Sequence, residues 1–344
     1  MRTARATVKD VAALARVSPK TVSNVLTGAV HVRPDTRARV EQAMTALDFV
    51  PNLSARGLRS GRSGVIAVAL PDLATAYSAD LLHFLVEAAH ERGFAVQIEE
   101  TADRPQRERD LLSRARAHLV DGLILNPIRL EDSVIDRADD LPPVVLIGEV
   151  EQHRTDRVLI DSRRAAKDAA LHLIARGARR IAAIGGDDRP EHATATSRLR
   201  LAGFRDALIE SGLDPDPARE VNLLPWSMAT GAAAVRELRA RGVQIDAVLA
   251  FTDSLAVGAI RELAEAGLRV PDDVLVAGFD DIEVSRFTTP SLTTVGFDRR
   301  LFAHESLRLL VERIDRPGQA PQAVTIPHHV VERESTATRI PPAG

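Results

Sequence analysis

Between Ser18 and Asn24 the run S-P-K-T-V-S-N places Lys20, Thr21, Ser23 and Asn24 beside the apolar Val22, Val25 and Leu26. A cation, two hydroxyls and a carboxamide near the start of a helix can read base edges and phosphates in a DNA major groove. A second set lies downstream. Arg200, Trp226 and Asp280 supply a guanidinium, an indole and a carboxylate. A polyhydroxylated ligand needs these: charged groups for paired hydroxyls and a flat ring to pack on a sugar face. Each also has an ordinary reading, Trp226 in a core, Arg200 in a surface ion pair, Asp280 as a helix cap. Enzyme chemistry finds less support. Gly185-Gly186-Asp187-Asp188 hints at a phosphate loop, but neither G-x-x-x-x-G-K-[ST] nor G-x-G-x-x-G occurs. His328-His329 lacks the spacing or carboxylate of a metal site. No carboxylate pair is singled out for glycoside cleavage. No cofactor and no metal are expected.

The reading residues need elements to hold them. Thr7 can cap a first helix, with Asp10 three residues on, and Val11, Leu14 and Ala15 form its apolar face. Ser18 is a second N-cap, with Pro19 at the first helical position, where a missing N–H costs nothing. Gly28 stops that helix. A third starts at Pro34-Asp35-Thr36 and buries Val40, Ala43, Met44 and Leu47. Short helices of this kind must bury their apolar faces on one another, which is the helix-turn-helix arrangement. Charge agrees: residues 1–63 hold eleven Lys and Arg against four Asp and Glu, so this end carries +7 and the remainder −10 within a chain of −3. After Pro51, the basic stretch Asn52–Ser60 contains Leu53, Leu58 and Gly57. At about eight residues it is too short to hold as an isolated helix and reads as a linker that folds against a partner.

From about Gly64 buried strands alternate with helices. The strands read G-V-I-A-V-A-L, F-A-V-Q-I-E-E, D-G-L-I-L-N-P, P-V-V-L-I-G, V-L-I-D, R-R-I-A-A-I-G-G, A-V-L-A-F and D-V-L-V-A-G-F. Helices are expected over about 79–91, 106–118, 162–176, 199–211, 231–241 and 254–266. Continuous apolar strands separated by helices imply parallel sheets covered on both faces. Ligands of such sheets bind beyond the carboxyl ends of the strands. Polar residues just after strands are therefore candidates: Tyr77, Ser78, Glu149, Arg200, Trp226, Thr252 and Asp280.

The pattern T-V-K-D-V-A…V-S…T-V-S-x-V-L-x-G…T-R-x-R-V…A-M…L-x-F-x-P-N…A-R-x-L-R resembles the DNA-binding headpiece of the LacI/GalR (lactose-repressor/galactose-repressor) family. The resemblance extends over nearly the whole chain. It implies an all-α helix-turn-helix headpiece and an α/β body similar to periplasmic binding proteins, two doubly wound parallel-sheet lobes joined by three crossovers. The implied domains are a headpiece over 1–51, a hinge over 52–61 and an effector-binding, dimerising body over 62–340. Lobe one would take about 62–160 and 296–319, lobe two about 161–292 and 320–340. The resemblance further implies DNA contacts from Thr7, Ser18, Pro19, Lys20, Thr21, Ser23, Asn24, His31, Asn52, Ala55 and Leu58, with Leu58 matching a leucine wedged between base pairs. Positions matching Arg200, Trp226 and Asp280 contact an effector. Several residues depart from the family pattern: Tyr77-Ser78 replaces an aromatic pair, Thr75-Ala76 an Asn-Pro, and Thr252 an Asn. In the reading helix Pro19 offers no donor, and Asn24 stands where Arg is common, so operator and effector should differ from the commonest ones.

A chain of 344 residues, 45% hydrophobic, has room for a small headpiece and a larger body, and with no cysteine it has no disulfide framework. M-R-T-A-R-A-T-V has no apolar run behind it, so no secretory signal or membrane partner is expected and the cytoplasm is the expected location. The reading is a ligand-responsive DNA-binding regulator, a repressor switched by a sugar-like effector. It would act as a homodimer on a palindromic double-stranded operator, because one reading helix sees too few base pairs. The alternative is a sugar-binding or sugar-hydrolysing α/β protein with no regulatory role.

Overall fold

The computed structural model describes residues 6–27, 31–49, 62–102, 104–127, 135, 141–150, 152–187, 189 and 194–337. It divides into two compact units, residues 1–63 and 64–344. In the first, α1 (Val8–Ala15) begins with a capping box. The Thr7 amide and hydroxyl donate to Asp10 Oδ2 at 2.8 and 2.7 Å, and the Asp10 amide donates back to Thr7 Oγ1 at 3.4 Å. These bonds satisfy amides that the helix itself leaves without acceptors. Arg16 (φ 55°) turns the chain, and Ser18 Oγ accepts from the Thr21 amide at 3.1 Å to start α2 (Pro19–Thr27). With α3 (Pro34–Ala46) these helices enclose Val11, Ala12, Ala15, Val22, Val25, Val40, Ala43 and Phe49. Leu14, expected inside, is 53% exposed, and Ala12 is buried instead. Val11 and Ala15 are buried as expected, and the face of α1 that meets the other helices runs through Ala12.

The body holds two six-stranded sheets. The first contains β1 (Val65–Leu70), β2 (Ala95–Glu100), β3 (Gly122–Leu125), β4 (Val144–Ile147) and β5 (Asp156–Leu159), with β11 (Ala323–Thr325) on its far edge. The second contains β6 (Ile181–Ile184), β7 (Glu220–Val221), β8 (Ala247–Ala250), β9 (Leu275–Phe279), β10 (Thr293–Phe297) and β12 (His328–Val331). Pairing is parallel except for β12 against β10. The inner strands are buried along their length, as sheets covered on both faces require.

The chain passes between the sheets after β5, after β10 and after β11. The last passage lies later than the sequence suggested. Val324 pairs with Val158, so the return to the first sheet runs through Thr325 and not to about 319, and Thr293–Phe297 stays wholly in the second. A three-residue strand with exposed flanks carries too little apolar pattern to assign it to a sheet. The return is fixed by α10 (Arg299–Asp315), whose Arg313 forks onto Asp156 of β5 at 2.9 and 2.8 Å. The tail is fixed to the second sheet by Ser335, which donates to the Val276 carbonyl at 2.6 Å and accepts from the Thr293 amide at 2.8 Å.

The helices that bear on the site are α4 (Ala76–Glu91), α6 (Ser162–Ala175), α7 (Ala195–Glu210), α8 (Met228–Ala240) and α9 (Asp253–Glu265). Helix α5 (Pro105–Arg116) covers the first sheet away from it. Helices α6 and α7 touch backbone to backbone at Gly203, where a Cβ would run into the Arg163 carbonyl. Helices α8 and α9 do the same at Gly258, against the Met228 carbonyl. Helix α7 starts at Ala195, a turn earlier than expected, because Thr194 and Ser197 form a second capping box. That early turn carries Thr196 to the cleft described next.

Candidate functional site

In the headpiece, Ser18, Pro19 and Lys20 are exposed at the start of α2, and His31 is exposed beyond it. Thr21, Ser23 and Asn24 are half-buried, and the Thr21 hydroxyl lies 2.9 Å from Ser18 Oγ. Thr7 is exposed at the start of α1, its hydroxyl already donated to Asp10. An exposed helix N-terminus with a lysine and small polar side chains can present donors to base edges and phosphates. Asn52, Ala55 and Leu58 lie outside the described residues.

In the body, polar side chains gather at the carboxyl ends of both sheets. Glu149, just after β4, accepts from Ser162 Oγ and from Thr196 Oγ1, each at 2.7 Å. Ser162 begins α6 and Thr196 lies in the first turn of α7, so one carboxylate holds the first lobe to the second. Arg200, one turn further along α7, is 5% exposed. Its Nε donates to Ser162 Oγ at 3.3 Å, Nη1 donates to the Phe251 carbonyl, and Nη2 lies 3.8 Å from Asp280 Oδ1. The guanidinium sits 3.4 Å from the centroid of Phe279, a cation–π arrangement.

Asp280 follows β9 and is buried at φ 113°, a left-handed conformation that costs a non-glycine residue on the order of 1–3 kcal/mol. Two bonds fix it there: its amide donates to the Val295 carbonyl at 2.8 Å, and its own carbonyl accepts from Arg299 Nη2. Burial pushes its carboxyl up to about 8, against the opposing pull of Arg200. Tyr77, near the start of α4, completes the group. Burial holds its phenol well above the ordinary range, Asp280 and Glu149 add to the rise, and Arg200 and Arg299 oppose it. The structure thus brings Tyr77, Glu149, Arg200 and Asp280 together from both lobes.

Trp226 is partly buried against both cores, its ring beside Gly185 and Phe251, and its Nε1 has no hydrogen-bond partner among the described residues. Two other candidates serve helix starts. Ser78 is buried and accepts from Thr75 Oγ1 at 2.8 Å in the cap of α4, and Thr252 Oγ1 accepts from the Leu255 amide at 3.3 Å. Asp253, beside Thr252, is fully buried and accepts from the Ile282 amide and from the hydroxyls of Ser285 and Thr294. Burial lifts its carboxyl to about 6. It ties β9 and β10 together behind the cleft.

Sequence reasoning missed Ser162, Thr196 and Arg299. Asp161 and Thr194, the caps just before two of them, were the available signal; nothing local marks Arg299. The Gly185–Asp188 hint at a phosphate loop has no support in the geometry. The Asp187 carboxylate fills the turn, gripped by Arg189 Nε and Nη2 at 2.9 and 2.6 Å and by Asn222 at 2.6 Å. The Arg189 fork holds it well below the usual carboxylate range, so it stays charged and repels an anion.

Residues 7–52 match the family described as bacterial regulatory proteins, lacI family, and residues 170–336 match a periplasmic binding protein-like domain. The HTH-type transcriptional regulator CelR of Thermobifida fusca is 34% identical over 97% of this chain and 99% of its own. The chain belongs to the LacI family of bacterial regulatory proteins. Its fold agrees with solved LacI-type structures. A lac repressor dimer bound to operator and the anti-inducer ONPF superposes with a TM-score of 0.82 at 29% identity, over 97% of this chain and 99% of that one. A CelR–cellobiose complex gives 0.71 at 31% identity, over 96% and 100%. LacI-family membership makes the chain a DNA-binding transcriptional regulator and sets aside the enzyme and the free-standing sugar-binding readings. Among the described residues, no helix is long and apolar enough to cross a membrane.

Proposed function

We propose that this LacI-family regulator is a cytoplasmic repressor that binds a palindromic operator as a homodimer and is switched by a sugar-like effector. Lys20, Thr21, Ser23 and Asn24 read bases; Thr7, Ser18, Pro19 and His31 lie at the DNA surface; Asn52, Ala55 and Leu58 of the linker contact the minor groove. Tyr77, Ser78, Glu149, Arg200, Trp226, Thr252 and Asp280 frame the effector cleft. The observation that carries this reading is the Glu149–Ser162–Thr196–Arg200–Asp280 cluster, a polar network drawn from both lobes at the carboxyl ends of their strands. A ligand seated there touches both lobes at once, so it has different contacts in an open and a closed body, which is what a switch requires. The lac repressor relative was solved as a dimer on operator, and CelR with cellobiose, which supports the same arrangement.

Operator selection from a random duplex pool, followed by fluorescence anisotropy with and without sugars, tests the proposal. The expected result is a palindromic consensus and a sugar that shifts affinity for it. A non-palindromic consensus, or affinity indifferent to every sugar that binds the body, would refute it.

A further inference from the structure

Donors and acceptors in the cleft do not balance. Arg200 is already engaged by Ser162, Phe251 and Asp280. Both oxygens of Glu149 are taken by hydroxyls. The atoms left over are two buried donors, Trp226 Nε1 and Arg299 Nε, and one buried acceptor, Asn222 Oδ1, none with a hydrogen-bond partner among the described residues. Trp226 sits on the Phe251 side of Arg200, and Arg299 on the Asp280 side. Buried polar groups are normally satisfied, so the two unmet donors flanking Arg200, with Asn222 Oδ1 further along beside Asp187 and Ser197, point to a ligand that supplies two acceptors at Arg200 and a hydroxyl toward Asn222.

Charge says more. Arg299 meets Asp280 through its main-chain carbonyl and lies 5.5 Å from the Phe297 ring centroid, but forms no ion pair among the described residues. Asp280 is the carboxyl that acts on Arg299, without a direct contact between their charged ends, so a partly buried guanidinium gains from an anion placed against it. We infer that the cleft takes an anionic sugar, its carboxylate or phosphate against Arg299, its other oxygens toward Trp226 and a hydroxyl on Asn222. This rests on reading the cleft as the effector site. The high titration of the Asp280 carboxyl agrees, since its protonated form does not repel an anion beside it.

Trp226 is the only tryptophan in the chain, so its emission reports on the cleft directly. The full-length protein is titrated with matched sets: glucose, gluconate, glucuronate and glucose 6-phosphate, and galactose with galacturonate. The expected result is a saturable change with at least one anionic member, with a Kd on the order of tenfold or more below that of its neutral counterpart. The carboxylate and phosphate arms show which anion is accepted. Arg299→Gln is expected to abolish the preference and Arg299→Lys to keep part of it. Wild-type binding of neutral sugars equally well or alone, or a preference unchanged in a folded Arg299→Gln protein, overturns the anionic reading and leaves the cleft reading standing. Silence toward every member, charged and neutral, overturns the cleft reading and this inference with it. Because the wild-type comparison decides by itself, misfolding of a variant does not protect the proposal.

Discussion

Thr196 Oγ1 donates a 2.7 Å hydrogen bond to Glu149 Oε2, fastening the first turn of a second-lobe helix to a carboxylate of the first lobe. Ser162 Oγ does the same to the other oxygen, at the crossover itself. Glu149→Ala leaves both hydroxyls without an acceptor. Urea unfolding should show a loss of about 1–3 kcal/mol, and any sugar that quenches Trp226 should bind more weakly. An unchanged midpoint together with unchanged sugar affinity would show that the link between the lobes contributes nothing.

Arg200 is bonded to Ser162 and Phe251, and its guanidinium carbon lies 3.4 Å from the centroid of the Phe279 ring. Arg200→Ala should therefore cost stability as well as ligand response, on the order of 1–3 kcal/mol, because it leaves the buried Phe251 carbonyl without its donor and the Phe279 ring uncovered. Thermal and urea denaturation separate this outcome from a purely ligand-contacting arginine, whose removal would leave the midpoint untouched.

The Asp280 carboxyl titrates near 8 in the folded protein and near 3.8 when unfolded. The folded state thus holds a proton that the unfolded state has lost, and this group's contribution is fully present at low pH and declines as pH rises from about 4 to 8. Asp253, lifted to about 6, adds a decline that ends at lower pH. Asp280→Asn should flatten the fall in stability between pH 6 and 8 relative to wild type. Parallel curves for the two proteins would contradict the assignment.

Of the residues proposed to read bases, Lys20 is exposed and Asn24 half-buried on α2. Each change to Ala should weaken specific binding by about 1–3 kcal/mol and relax the preference at one base pair per half-site. Selection from a randomised operator reads this directly. An unchanged base preference in Asn24→Ala would make Asn24 a phosphate contact.

In the proposed reading Leu58 of the linker is a wedge between base pairs, and intercalating wedges cost a few kcal/mol of unstacking in exchange for a bent duplex. Leu58→Ala should lose operator affinity by anisotropy while the sugar titration of Trp226 stays unchanged. Wild-type operator affinity in Leu58→Ala would reduce the linker to a tether.

Much of the molecule was legible locally. The Thr7–Asp10 box and the Ser18 cap join residues three apart, and the buried strands announce themselves as apolar runs. The site was legible in part. Arg200 and Asp280 stood out as charged residues after strands, whereas Thr196 and Ser162 looked like ordinary cap-region hydroxyls. Leu14 shows the opposite error: the spacing was helical, but which face turns inward depends on where the neighbouring helices lie.

The sequence alone determined that a basic helix-turn-helix precedes a parallel α/β body, because capping, periodicity and charge act over a few residues and need no knowledge of the rest of the chain; the division of that body into two lobes was implied by the family resemblance. Only the tertiary structure decided that Glu149 meets a hydroxyl 47 residues away, that β11 returns to the first sheet, and that Arg299 reaches the Asp280 carbonyl. Those contacts depend on the chain crossing between sheets and on the angle at which helices settle over them. The unmet donors of Trp226 and Arg299 belong to the same class, since a polar atom is left unpaired only by the packing of everything around it.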